Sequence, residues 1–242
     1  MKLYIIRHGD PDYENDTLTE RGWREAELLA DRLEKLDITD FYVSPLGRAR
    51  DTASVLLKRL GAAAETKAWL REFPPQRWDP ECGCERPMWD WLPAQWTEIA
   101  DYYDKNAWLH TPAMEQAEVL QEYEKVRQGL SQVLAMHGYV QTGNVFSAKR
   151  PNRDSIAFFC HFGVECVILS ILLGISPMPL WHGTCALTSS VTTLITEERR
   201  SGTAYFRMCG FGDLSHLYAA NVEPSFSARF CETFDCKEER HD

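Results

Sequence analysis

Two histidines, two arginines and one glutamate in this 242-residue chain stand where short apolar runs end. Leu3–Ile6 runs into Arg7-His8-Gly9. The run from Asp40 ends at Ser44-Pro45-Leu46, with Arg48 in the turn that follows. Ala62–Lys67 leads, past Trp69-Leu70-Arg71, to Glu72. Ile156–Cys160 ends on His161. Together such residues could carry phosphoryl transfer. Two arginines offer forked, permanently charged donors suited to phosphate. An unprotonated imidazole can attack phosphorus and become phosphohistidine. A second histidine can donate to the transferring oxygens. A carboxyl group can protonate the leaving alcohol and then take a proton from the attacking water. The arginines and histidines supply the charge that a metal would otherwise hold, so stabilisation of the transition state would be mainly electrostatic.

That chemistry requires the strand ends to converge. Leu3–Ile6 reads as a strand buried on both faces, as central parallel strands are. Thr19 is an N-cap, followed at helical spacing by Ala26, Leu29, Ala30, Leu33 and Leu36. Asp40–Ser44 is a second strand. A helix from Pro45 presents Ala49, Ala53, Leu56, Leu57 and Leu60, and Gly61 closes it. Ala62–Lys67 is a weak third strand. Phe73 to about Pro112 breaks the pattern as a Trp- and Pro-rich insertion with one expected helix near Pro93–Lys105. Met114–His137 is helical, Gly138–Arg153 a loop, Ile156–Cys160 a buried strand, Val164–Leu173 a helix, and Ser190–Thr196 with Thr203–Cys209 a final strand pair. The order predicts an α/β fold, a three-layer α-β-α arrangement around a mostly parallel sheet with right-handed crossovers. Ligands bind outside the carboxyl ends of such strands.

Arg7-His8-Gly9, Leu18-Thr-Glu-Arg-Gly22, Ser44-Pro-Leu-Gly-Arg-Ala-Arg-Asp-Thr-Ala53 and Cys160-His161-Phe-Gly163 resemble the histidine phosphatase superfamily, the phosphoglycerate mutase-like group with the Arg-His-Gly motif. The order and spacing match from Lys2 to about Leu217, apart from the insertions. The resemblance makes His8 the phosphorylated nucleophile and Arg7, Arg48 and His161 the phosphate pocket, with the Phe162 backbone N–H facing the phosphate. Glu72 takes the acid/base position by its place after the third strand; Glu65 and Glu85 are the alternatives. The expected activity is metal-independent phosphomonoester hydrolysis of a small phosphorylated metabolite, with no cofactor. A phosphoglycerate mutase-type transferase and a weakly catalytic regulatory protein are the competing readings. Three departures stand out: Phe162 where the family often has a small residue, Asp10-Pro-Asp-Tyr-Glu-Asn15 after the Arg-His-Gly motif, and Phe-Pro-Pro after Glu72. Asn15 stands one residue later than the usual phosphate-contacting asparagine, so that role is not carried over.

A net charge of -10 argues against nucleic acid or an anionic membrane as partner. Leu3–Ile6 is too short for a signal peptide. Ile156–Ile175 approaches the length of a membrane span but contains His161, Glu165 and two glycines. The eight scattered cysteines fit a reduced, cytoplasmic chain with free thiols; Cys82/Cys84 and Cys231/Cys236 lack the usual zinc-knuckle spacing. Residues 1–220 read as one domain, the insertion at about 73–112 as a candidate lid, and 221–242 as a peripheral tail. Oligomeric state is not legible. Arg71, Arg77 and Arg86 are the basic residues best placed to read a second substrate charge, with solvated surface as the plain alternative. His182 reads as a loop histidine and His216 as structural; His110, His137 and His241 carry no signal.

Overall fold

Side-chain parity along the first strand decides the layering. In the computed structural model, which describes residues 1–227, 229, 232, 233 and 236–240, strand β1 spans Lys2–Arg7. Its Leu3 and Ile5 enter one core, while Tyr4 and Ile6 enter the other, the period-two alternation of a strand covered on both faces. Strands β2 (Asp40–Val43) and β3 (Ala64–Thr66) follow, then a hairpin, β4 (Gln76–Asp79) with β5 (Cys84–Pro87). Next come β6 (Tyr139–Thr142), β7 (Val145–Ala148), β8 (Ser155–Cys160), β9 (Val191–Arg200) and β10 (Thr203–Asp213). The eight-stranded sheet has the order β3-β2-β8-β1-β9-β10-β7-β6. Its first four strands are mutually parallel, and β9, β10, β7 and β6 extend it by antiparallel pairing.

Helices α1 (Glu20–Leu33) and α2 (Gly47–Leu60) cover the face of Ile6, Val43 and Phe159, packing Leu29, Leu33, Ala53 and Leu56 against it. The other face carries α3 (Pro112–Gln116), α4 (Val119–Met136) and α5 (Phe162–Leu173), with Trp108, Leu130, Val133 and Val167 in the core. Thr19 caps α1, its hydroxyl accepting the Gly22 N–H at 3.0 Å, and Gly61 closes α2 in the left-handed conformation at φ 60°. Short helices α6 (Met178–Gly183) and α7 (Ser215–Ala219) complete the fold. No helix among the described residues is long and apolar enough to cross a membrane; Ile156–Ile175 is β8 followed by α5. Helix α5 is buried on nearly all sides, which explains its mostly apolar sequence.

Four expectations change. Residues 138–153 are not a loop: β6 and β7 form a hairpin that adds to the sheet, with Phe146 and Ala148 turned inward and Gly143 at φ 63° in the turn. The helix expected near Pro93–Lys105 is replaced by single 3-10 turns at Pro93–Gln95 and Ala100–Tyr103. Trp96 and Tyr102 are both buried, and one α-helix would hold residues six apart at about 120° to each other. The Met114–His137 helix is two, α3 and α4, separated at Glu118, whose φ is 52°. Cys82 and Cys84 are not free thiols but a disulfide, because the β4–β5 turn brings their Cα atoms to 5.4 Å. Cys231 and His241 lie outside the described residues.

Candidate active site

Strands β2, β8 and β1 are neighbours, and each delivers its last residues to the same end of the sheet. The His8 N–H donates to the Cys160 carbonyl at 3.1 Å and the Ser44 N–H to that of Phe159 at 2.9 Å, so the ladder continues through the site residues themselves. Gly9 and Gly22 let the turn after β1 lie directly on α1: a Cβ on Gly9 would sit 2.8 Å from the Gly22 oxygen, and one on Gly22 2.2 Å from the Asp10 oxygen. This contact couples the Arg-His-Gly and Leu-Thr-Glu-Arg-Gly motifs. The Gly9 N–H is held at 2.9 Å by the Thr52 hydroxyl of α2.

Within this frame the His8 and His161 rings lie 5.0 Å apart, and both are buried. His8 Nδ1 lies 2.7 Å from the Gly9 carbonyl oxygen. A carbonyl only accepts, so Nδ1 carries the proton and the lone pair of the neutral ring is on Nε2. Burial and then Arg7, with a lesser part from Arg48, hold the His8 pKa well below the ordinary histidine value, against an upward pull from the Gly9 bond. Burial, then the neighbouring His8 ring and the charges of Arg48 and Arg7, do the same to His161. His161 Nε2 shares a 2.8 Å hydrogen bond with Ser44 Oγ, and its Nδ1 is buried with no partner.

Arg7 is anchored by donating from Nη1 to the Ala186 carbonyl at 2.6 Å, and its Nε is buried and unpartnered. Arg48 donates to Asp16 Oδ1 at 2.7 Å, and its guanidinium lies 5.4 Å from the centre of the Tyr13 ring. Glu72 reaches the start of α5: its Oε1 accepts the Phe73 N–H at 2.7 Å and the Val164 N–H at 3.2 Å. Burial raises the Glu72 pKa despite those two donors and the nearby Arg7 and Arg48. Phe162 is buried, its ring 6.0 Å from the Arg7 guanidinium carbon.

The residues expected at the site by the strand-end reading therefore come together. The alternatives do not: Glu65 is exposed and pairs with Lys67 at 2.6 Å, and Glu85 is exposed on the β4–β5 hairpin. Asn15 bonds Asp12. Arg77 and Arg86 are not solvated surface. Arg86 pairs with Asp79 and Asp90, each at 2.9 Å, and Arg77 lies 4.2 Å over the Trp91 ring. His182 is not a loop side chain either; it is in α6, stacked on Trp96 at 5.2 Å, and burial lowers its pKa to about 4. His137 pairs with Asp154 at 2.8 Å, and His216 lies 3.1 Å from the Ser189 hydroxyl. The start of the tail is not detached: the Ser225 hydroxyl donates to Asp10, beside the Arg-His-Gly turn. Among the described residues no cluster of His, Cys, Asp and Glu could hold a metal ion.

Sequence reasoning missed the Ser44 and Asp16 contacts, the approach of Trp89 to Glu72, and Glu165. Glu165 lies one turn into α5 and is 1% exposed. Burial raises its pKa to about 7, against smaller opposing pulls from Thr192 and Arg7. The folded state therefore binds a proton there that the unfolded chain has released, so this contribution to stability is complete below about pH 4.5 and is lost as pH rises through about 7. Glu165→Gln should leave stability near wild type at pH 5 and raise it at pH 8, by on the order of 3 kcal/mol. Urea unfolding at the two pH values reads this; equal gains at both would show that ionisation is not the cause.

These features belong together in one class. The sequence profile of the histidine phosphatase superfamily (branch 1) matches residues 3–206, and the chain belongs to that family. It is 43% identical over 67 residues to a 2,3-bisphosphoglycerate-dependent phosphoglycerate mutase of Thermoplasma acidophilum, covering 23% of this chain and 34% of that one. It is 36% identical over 92 residues to a mitochondrial serine/threonine-protein phosphatase of Caenorhabditis briggsae, covering 36% and 32%. The matches thus span about a third of these relatives' length. The fold is shared with a phosphoserine phosphatase of Entamoeba histolytica solved with 3-phosphoglyceric acid, at TM-score 0.62 and 19% identity over 89% of this chain and 98% of that one. It is shared also with a mycobacterial glucosyl-3-phosphoglycerate phosphatase, at TM-score 0.55 and 20% identity over 87% and 98%.

Proposed function

We propose that the chain is a metal-independent phosphomonoester hydrolase that works through a phosphohistidine at His8 on a small phosphorylated metabolite. The observation that carries this is the 2.7 Å bond from His8 Nδ1 to the Gly9 carbonyl, which aims a neutral lone pair from Nε2. In the first step Nε2 attacks phosphorus and the bond from phosphorus to the alcohol oxygen breaks. Glu72 gives its proton to that oxygen. Because Oε1 takes both backbone donors, Oε2 is the oxygen that carries the proton. In the second step water gives a proton to Glu72 and attacks phosphorus, the P–N bond breaks, and His8 is restored with its Nδ1 proton in place. Arg7, Arg48, His161 and the Phe162 N–H hold the phosphoryl oxygens, a fixed set of donors that needs no reorganisation as charge develops.

A mutase would share the first step, and the Thermoplasma match keeps that reading open. The two differ in where the phosphoryl group goes. With glycerol 3-phosphate and a range of phosphorylated metabolites, phosphorus NMR should show inorganic phosphate appearing in step with ester loss. Transfer to a second hydroxyl without phosphate release would instead make the chain a mutase, and neither outcome on any ester would leave a binding protein. The net charge of -10 supports a partner list without nucleic acid or membrane. Placement in the cytoplasm is part of the proposal; it rests on the thiols of Cys160, Cys166 and Cys209, with the Cys82–Cys84 bond standing against it.

A further inference from the structure

The insertion places the Trp89 side chain at the candidate site. A Cβ placed on Gly163 would lie 2.6 Å from Glu72 Oε1 and 2.7 Å from Trp89 Nε1. The indole N–H therefore stands beside the carboxyl group that would protonate the leaving alcohol, and it is buried with no hydrogen-bond partner. An N–H buried without an acceptor is unfavourable, and a substrate oxygen would relieve that cost. Trp89 also packs edge-on against Phe162, with centroids 6.1 Å apart, so the leaving-group side is walled by aromatic rings.

The charge around that wall is equally specific. The cations acting on His8, His161 and Glu72 are Arg7 and Arg48, both needed by the phosphoryl group itself. The arginines of the insertion are engaged elsewhere: Arg86 between Asp79 and Asp90, Arg77 over Trp91 and bonded to Gln95. Arg71 faces Glu122 at 3.7 Å. A carboxylate on the leaving group would meet Glu72 and two aromatic rings rather than a cation awaiting a partner.

We infer that Trp89 is a specificity residue whose indole N–H donates to a neutral, hydroxyl-bearing leaving group, so that the substrates are phosphate esters of sugars or polyols rather than of carboxylate-bearing alcohols. Aromatic walls suit the C–H faces of such molecules, and the single donor suits a hydroxyl or ring oxygen. The inference rests on the hydrolase reading above.

A matched pair of esters tests it on the wild-type protein. Glycerol 3-phosphate and 3-phosphoglycerate differ in a hydroxymethyl against a carboxylate, and phenyl phosphate offers no acceptor beyond the bridging oxygen. The expected kcat/KM for glycerol 3-phosphate exceeds that for 3-phosphoglycerate by at least about tenfold. In Trp89→Phe, which keeps a ring but loses the N–H, the ratio of kcat/KM for glycerol 3-phosphate to that for phenyl phosphate should fall about tenfold, the loss of one buried hydrogen bond. Equal or better turnover of 3-phosphoglycerate by wild type, or an unchanged ratio in the variant, overturns the inference while phenyl phosphate hydrolysis keeps the hydrolase reading intact. No phosphate release from any of the three overturns both.

Discussion

His8→Ala should lower phosphate release from any monoester by at least about a thousandfold while leaving the far-UV circular dichroism spectrum unchanged. The size follows from the position of the ring. Burial, helped by Arg7 and Arg48, keeps the His8 ring neutral, and its Nδ1 proton is committed to Gly9, so no neighbouring group can substitute for its lone pair. Among the described residues the imidazole that lies against it is His161, whose Nε2 is taken by Ser44. Brief incubation with a phosphorus-32-labelled ester, followed by an alkaline quench that preserves phosphohistidine, should label wild type and not the variant. Turnover by His8→Ala at a rate near wild type would remove His8 from the mechanism.

Glu72→Gln should slow alkyl phosphate hydrolysis by about 10²–10⁴-fold, the usual share of general acid–base catalysis. It should slow p-nitrophenyl phosphate far less, since nitrophenolate departs without a proton. The amide preserves the two backbone bonds that Glu72 accepts at Oε1, so the start of α5 keeps its support. The pH profile supplies a second readout. His8 must be neutral, and its lowered pKa puts the rising limb well below 6.5; Glu72 must be protonated, and its raised pKa moves the falling limb above 4.5. In the variant the falling limb due to Glu72 should vanish. Equal slowing of both esters would show that Glu72 acts by position rather than by its proton.

The sheet and the convergence of its strand ends were legible because two signals agree there. Buried strands such as Leu3–Ile6 and Ile156–Cys160 are apolar on both faces, and each is followed at once by polar residues with no structural reason to be there. The hairpin of β6 and β7 was hidden by Gly143, Asn144 and Pro151, which read as loop, although Phe146 and Ala148 alternate as a strand should. The insertion was legible only as an insertion. Its short turns are set by where Trp91, Trp96 and Tyr102 find the core, and no local periodicity encodes that. The approach of Trp89 to Glu72 depends on contacts with Phe162 and Gly163, more than seventy positions further on, and Gly163 carries no sign in the sequence of what crowds it. Ser44 and Thr52 could have been found: both are polar positions inside the motif that supplies Arg48.

Asp16 gives the segment after the Arg-His-Gly turn a consequence of its own. One of its carboxyl oxygens accepts from Arg48 at 2.7 Å and the other from the Gly47 N–H at 2.6 Å, so the protein already presents an anion to a guanidinium that the phosphoryl group would use. Phosphate binding at Arg48 is then an exchange of one anion for another, and the net gain is the difference between them. Under the proposed function the same exchange would run backwards at the end of the cycle, with Asp16 competing with inorganic phosphate for Arg48 and lowering the cost of letting it go. A phosphatase built this way would show weak product inhibition, set by the chain's own carboxylate in the loop Asp10–Asp16.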